Sequence, residues 1–107
     1  MFAIDTNNRM RIPRGDTGYF SVDIKKYEIQ DGDTLTFTVK ANPDDANTII
    51  KKTLSAIDTT TFTILPSDTA GQEVGRYFYD VQLTTTLGEV YTIIECAPFL
   101  IKAEVSE

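Results

Sequence analysis

The sequence predicts an all-β fold, an antiparallel sandwich of seven to eight short strands in one domain, residues 1–107. Three observations carry that expectation. Apolar residues recur with period two rather than 3.6, the mark of strands with one buried face. Threonine fills the positions between them, where its branched Cβ suits a pleated surface and its hydroxyl tolerates water. Turn residues separate the runs about every 8–12 residues, the spacing of a sandwich. The chain shows no linker or internal repeat, and its length suffices to bury roughly 60–70% of the surface the unfolded chain exposes. A hydrophobic fraction of 41% with 24% charged residues places it among folding chains rather than disordered ones.

The elements follow in order. A short strand is expected over 9–13, closed by the turn Arg14-Gly15-Asp16. Phe20, Val22 and Ile24 alternate with Ser21 and Asp23 in a strand over 18–25. After the turn Asp31-Gly32-Asp33, Leu35, Phe37 and Val39 alternate with threonines and Lys40 over 34–41. Asn42-Pro43-Asp44-Asp45 leads into a less regular strand over 48–54, and Phe62 and Ile64 mark another over 60–65. In the longer connection 67–75 a helical turn capped by Ser67 or Asp68 is expected. Tyr77, Tyr79, Val81 and Leu83 share the inward parity of a strand over 76–84. Thr86-Leu87-Gly88 turns it into a strand over 89–95, and Phe99, Ile101, Ala103 and Val105 pattern the last one over 99–105.

One detail selects the immunoglobulin-like kind of sandwich. Asp68 followed by Gly75-Arg76-Tyr77-Phe78-Tyr79 has the look of a tyrosine corner, in which a Tyr hydroxyl near the start of a strand bonds back to the preceding backbone. Tyr77 is the expected corner residue, and Gly75 the tight start of its strand. With no Trp and a single Cys, the Cys-Trp-Cys core of antibody domains is absent, so the likeness concerns architecture alone.

Composition removes several functions. Without histidine there is no Ser-His-Asp or Cys-His nucleophile and no His-containing zinc site. One cysteine makes no intrachain disulfide and no thiolate cluster. Sixteen acidic against ten basic residues, net −6, argue against a nucleic-acid binder, which needs a basic face for phosphates. Met1–Met10 lacks the apolar run of a secretory signal, and no stretch reaches the ~20 apolar residues of a membrane helix. The expectation is a soluble chain made in the cytoplasm, with no enzymatic activity, no cofactor, no metal, no nucleic-acid partner and no membrane insertion.

Each remaining motif has a structural reading and a functional one. Arg14-Gly15-Asp16 spells the tripeptide that integrins recognise, but between two strands it reads as a turn, with Gly15 at positive φ and Asp16 in an Asx-type bond. Asp31-Gly32-Asp33 with Glu28 lacks the spacing of a calcium loop and reads as a hairpin turn. Asp44 and Asp45 read as a solvated loop. Tyr91 and Tyr27 are the candidates for an exposed sugar-stacking platform, whereas Tyr77 and Tyr79 belong to the core. Cys96 is expected to be a buried small hydrophobe. The edge strand is expected at Thr48–Leu54, where Lys51 and Lys52 would deter indiscriminate pairing and leave Ile49 and Ile50 for a partner. Arg9–Pro13 is expected at the opposite edge, since Pro13 has no N–H to offer a further strand.

The runs Ile12-Pro13-Arg14-Gly15-Asp16-Thr17, Asp31-Gly32-Asp33-Thr34-Leu35-Thr36-Phe37, Gly75-Arg76-Tyr77-Phe78-Tyr79-Asp80-Val81 and the closing Phe99–Val105 resemble the small β-sandwich domains of tail and baseplate proteins from phages and prophages of Gram-positive bacteria. The resemblance, notably to the N-terminal domain of baseplate upper proteins, covers about residues 9–105. The resemblance implies a non-enzymatic structural module of the virion, made in the bacterial cytoplasm. Its partners would be other phage structural proteins, or further copies of itself in a homo-oligomer. The long stalk that follows in baseplate upper proteins has no counterpart within these residues. An extracellular carbohydrate-binding or adhesion module is the alternative.

Overall fold

The computed structural model describes residues 1–104 and is all-β apart from one short helix. Among the described residues the strands are β1 (Ala3–Ile4), β2 (Met10–Pro13), β3 (Gly18–Ser21), β4 (Thr34–Lys40), β5 (Ile50–Ser55), β6 (Thr61–Ile64), β7 (Gly75–Thr84) and β8 (Val90–Lys102). The helix α1 (Pro66–Ala70) links β6 to β7. Six strands form one sheet in the order β1-β2-β8-β7-β4-β5, and β3 pairs with β6 in a second.

Alternation decides what is buried. In β4 every second residue, Leu35, Phe37 and Val39, is fully buried, while the threonines between them are half-exposed. In β7 the buried set is Tyr77, Tyr79, Val81 and Leu83. Phe20 and Phe62 of the small sheet meet Phe37 of the large one at ring-centroid distances of 4.9 and 5.6 Å. Tyr79 and Phe99 close the same cluster from β7 and β8. The core therefore lies between the two sheets, and burial of these apolar faces is what holds them together.

The observed strands depart from expectation in three ways. The large sheet is mixed, because β2 runs parallel to β8, with Met10 opposite Phe99 and Pro13 opposite Lys102. The two strands expected over 89–95 and 99–105 are one, β8; Val105 lies outside the described residues. Pro98 is tolerated inside it because β2 begins to pair only at Phe99, so its missing N–H breaks no bond to that strand. Glu95 falls in a register shift opposite the Tyr79/Val81 step of β7, where the extra residue is bulged out of the ladder. Finally, β1 caps the sheet beyond β2 through two pairs, Ala3 with Arg11 and Ile4 with Met10, so Arg9–Pro13 is not the outer edge.

The cap of α1 also differs. Its N-cap is Leu65, not Ser67 or Asp68. Pro66 starts the helix with its φ already suited, and the Asp68 carboxylate reaches back to accept the Leu65 N–H at 2.7 Å. The other Asp68 contact is Lys52 Nζ at 2.7 Å, both side chains mostly buried, which ties β5 to the helix.

Candidate interaction surface

At one end of the molecule the turn after β2 docks on α1. Gly15 has φ of 87°, a left-handed conformation that glycine adopts without strain. Its N–H donates to the hydroxyl of buried Thr69 at 2.8 Å. Arg14 is held by both Glu104 carboxylate oxygens, at 3.0 and 2.8 Å, and by the Gln72 carbonyl at 3.3 Å. Asp16 faces the N-terminal amine of Met1 at 3.3 Å. The tripeptide is thus built into the scaffold, and its guanidinium is engaged by the chain's own carboxylate. Beside it the Tyr77 hydroxyl donates to the Glu73 carbonyl at 2.7 Å, four residues back. Gly75 opens β7 opposite Ile101 with nothing near the space a Cβ would take.

The other end is organised by a residue that sequence reasoning treated as a turn. Asp33 is fully buried. One carboxylate oxygen accepts the Tyr27 hydroxyl and the Gln30 N–H, both at 2.8 Å, and the other accepts the Thr86 N–H at 3.1 Å. Its backbone carbonyl accepts the Ala56 N–H at 2.9 Å. Three connections therefore meet on one residue, 22–33 and 85–89 through its carboxylate and 56–60 through its backbone carbonyl. The Gln30 N–H, with the Tyr27 hydroxyl and Thr86 N–H, holds the carboxyl below its ordinary value against the opposing effect of desolvation. The bond to that carboxylate pushes the Tyr27 phenol up to about 12. Gly32, at φ of 96°, lets this corner close, since a Cβ there would stand 2.6 Å from the Thr86 methyl.

The same end gathers exposed apolar side chains. Tyr91 packs against Tyr27 at 6.0 Å between ring centroids, so the two sequence-selected tyrosines are neighbours. Leu87 is 85% exposed, and Ile57, Val90 and Tyr91 are each about half-exposed. From Val90 to Pro98, β8 has β7 on one side and, among the described residues, no strand on the other, since β2 pairs only from Phe99 onward.

The expected docking strand needs correction. Among the described residues β5 is an edge, paired with β4 alone, but Ile50 is 4% exposed and belongs to the core. Ile49 is half-buried, with its N–H donated to the Val39 carbonyl at 2.8 Å. The strand keeps its apolar side chains inward, so only its backbone edge is free. Cys96 is exposed rather than buried, because the β8 bulge turns it out beside Lys40 and Asp80. Burial pushes the Asp80 carboxyl up, partly offset by the Lys40 ammonium.

Among the described residues no group of three or more Cys, Asp and Glu is arranged to hold a metal ion, and every buried side-chain nitrogen and oxygen has a hydrogen-bond partner. No protein-family model matches the chain, and no curated protein matches it.

Proposed function

We propose that this chain is a non-enzymatic structural module of a phage or prophage tail or baseplate, acting through protein–protein assembly. The fold reading that goes with it is an immunoglobulin-like sandwich. The order β2-β8-β7-β4-β5 facing β3-β6, with a backward hydrogen bond from Tyr77 at the start of β7, supports that reading. The observation that carries the assembly role is the free edge of β8 over Val90–Pro98, flanked by exposed Val90 and Tyr91 and half-buried Ile93 and Ile94. An unpaired edge beside apolar side chains accepts an added strand from a partner, with main-chain bonds for affinity and side-chain pockets for specificity. The test is capture of products of adjacent genes by the purified chain, together with mass spectrometry of induced particles. Thr92→Lys, at an exposed edge position, is expected to abolish capture without unfolding. A chain that captures none of these products and is absent from particles overturns the proposal.

A carbohydrate-binding reading has one observation in its favour, the Tyr27–Tyr91 pair beside exposed Leu87. Binding on a glycan array that is lost in Tyr91→Ala would move this reading ahead.

A further inference from the structure

The outward face of the six-stranded sheet has a charge opposite to that of the chain. The register places Arg11, Leu100 and Arg76 in one row across β2, β8 and β7, with Pro98, Phe78 and Lys40 in the next across β8, β7 and β4. Lys102 extends the face along β8, and Lys51 lies opposite Thr38 at its far edge. Five of the ten basic residues therefore share one face, and none of them makes an ion pair among the described residues. Arg9, Arg14, Lys25 and Lys52, by contrast, are each paired with a carboxylate, which leaves exposed Lys26 on the 22–33 connection as the one cation off this face with no ion pair among the described residues. Asp80, half-buried near Lys40, is the carboxylate that the register sets among them. Half-exposed Phe78, Pro98 and Leu100 form the apolar centre of the face, with Arg76 lying 5.4 Å above the Phe78 ring.

The end organised by Asp33 has the complementary pattern. Exposed Ile57, Leu87 and Val90 are accompanied by exposed Asp31, Asp58 and Glu89 on the three connections that Asp33 ties together, where the basic residues are Lys25, paired with Asp23, and Lys26. Apolar centres with rims of opposite charge are the arrangement of two surfaces that fit each other.

We infer that the loop end of one copy docks on the outward sheet face of a second copy. Because the two surfaces differ, the contact is heterologous and propagates into a ring or a filament, as serial assembly requires. The inference rests on the assembly reading above and supplies one partner for it, while the β8 edge between Val90 and Pro98, Thr92 included, stays free for others. It explains why a chain of net −6 concentrates unpaired cations on one face: that face attracts where the remainder repels.

The experiment is sedimentation of the purified chain across concentration and salt. The mass is expected to rise with concentration at low ionic strength and to return to monomer near about 0.5 M salt, where screening acts within a few ångströms. The double variant Arg76→Glu/Lys102→Glu reverses the face, and Asp58→Lys/Glu89→Lys reverses the end; all four side chains are exposed, and melting curves verify folding. Each variant alone should associate about tenfold or more weakly. Mixed together they should associate again, since an acidic face now meets a basic end. A wild-type chain that stays monomeric at low salt overturns the inference, as does association that ignores both salt and the variants. Retention of a monomeric chain on heparin would assign the face to a foreign polyanion and overturn it equally. A monomer still found in particles sinks this inference alone; a self-associating chain absent from particles sinks the phage reading alone.

Discussion

The two ends of the molecule solve the same problem with different chemistry. Each must tie loops from both sheets over an open core, and each does so through a buried polar residue. At the β2–α1 end the buried groups that make the ties are neutral: the Thr69 hydroxyl accepts the Gly15 N–H, and the Tyr77 hydroxyl donates to Glu73. The charged groups there form two ion pairs, Arg14 with Glu104 and the less exposed Lys52 with Asp68, and none of the four side chains is fully buried. At the loop end a single carboxylate, Asp33, is fully buried and accepts three bonds. A neutral tie can lose one bond and leave little behind. A carboxylate hub ties more segments at once, and its removal leaves several donors without an acceptor. The loop end is thus the more brittle, and it is the end that carries the proposed self-association surface.

The largest expected effect follows from that asymmetry. Asp33→Ala leaves the Tyr27 hydroxyl and the Gln30 and Thr86 N–H groups without their acceptor, and should lower the melting temperature by more than about 10 °C in a domain of this size. Asp33→Asn keeps one acceptor oxygen and should fall between Ala and wild type. A loss in Asp33→Ala no greater than that in Tyr77→Phe would abolish the distinction between the ends. The pH dependence sharpens it. The folded-state pKa of Asp33 lies below its ordinary 3.8, so its contribution is present above that value and is lost as pH falls through the folded pKa. Melting temperature should therefore drop on acidification below about 3.8 and drop less in Asp33→Asn. Glu104 and Asp5, held low by Arg14 and by Arg9 respectively, keep some of that slope in the variant.

At the neutral end the changes are smaller. Tyr77→Phe removes the bond to Glu73 and should cost about 0.5–1.5 kcal/mol by denaturant titration, with the fold retained. Tyr79→Phe should also lower stability, since its hydroxyl donates to the Asn8 carbonyl and anchors the β1–β2 turn. Gly15→Ala should cost about 1 kcal/mol, entirely through the positive φ, because nothing lies within 4 Å of the added Cβ. No loss at all would mean that the turn relaxes and that the Thr69 bond does not hold it.

Much of the strand pattern was legible because period two reports which side chains are buried. It does not report which strand lies alongside. The alternation of Met10 and Ile12 is the same whether β2 runs parallel or antiparallel to β8, so the mixed sheet was invisible. Two-residue β1 is shorter than any pattern, and the break expected between residues 95 and 99 is a bulge and a free edge within one strand. Ile50 was misassigned because flanking lysines marked β5 as an edge while saying nothing of the direction in which Ile50 points. Tyr77 and Gly15 were legible because their roles are local, four residues and one turn in reach. Asp33 was not, since its partners Tyr27 and Thr86 lie on separate connections that only the folded chain brings together. The one signal was an aspartate placed just before a strand, where a carboxylate commonly binds turn N–H groups.

The smallest effect is expected from Arg14→Gln, and it bears on what the tripeptide is for. The guanidinium makes a two-oxygen pair with Glu104, which is the geometry of a strong charge-assisted contact. Both side chains are about a third exposed, however, at 34% and 37%, and water and salt screen such pairs until little net stability remains. The variant should melt within about 4 °C of wild type, and the difference should shrink as salt is added. A salt-independent loss as large as that of Asp33→Ala would show that this end too hangs on one charged residue, and the contrast between the ends would fail. The same pair bears on adhesion, because a guanidinium held by Glu104 and the Gln72 carbonyl must give up both before it can reach a receptor. Glu104→Gln weakens the nearer hold without touching the tripeptide. If cell attachment is absent in wild type and stays absent in Glu104→Gln, Arg14-Gly15-Asp16 is a turn and nothing more; attachment that appears only in the variant would make Glu104 a mask over a working ligand.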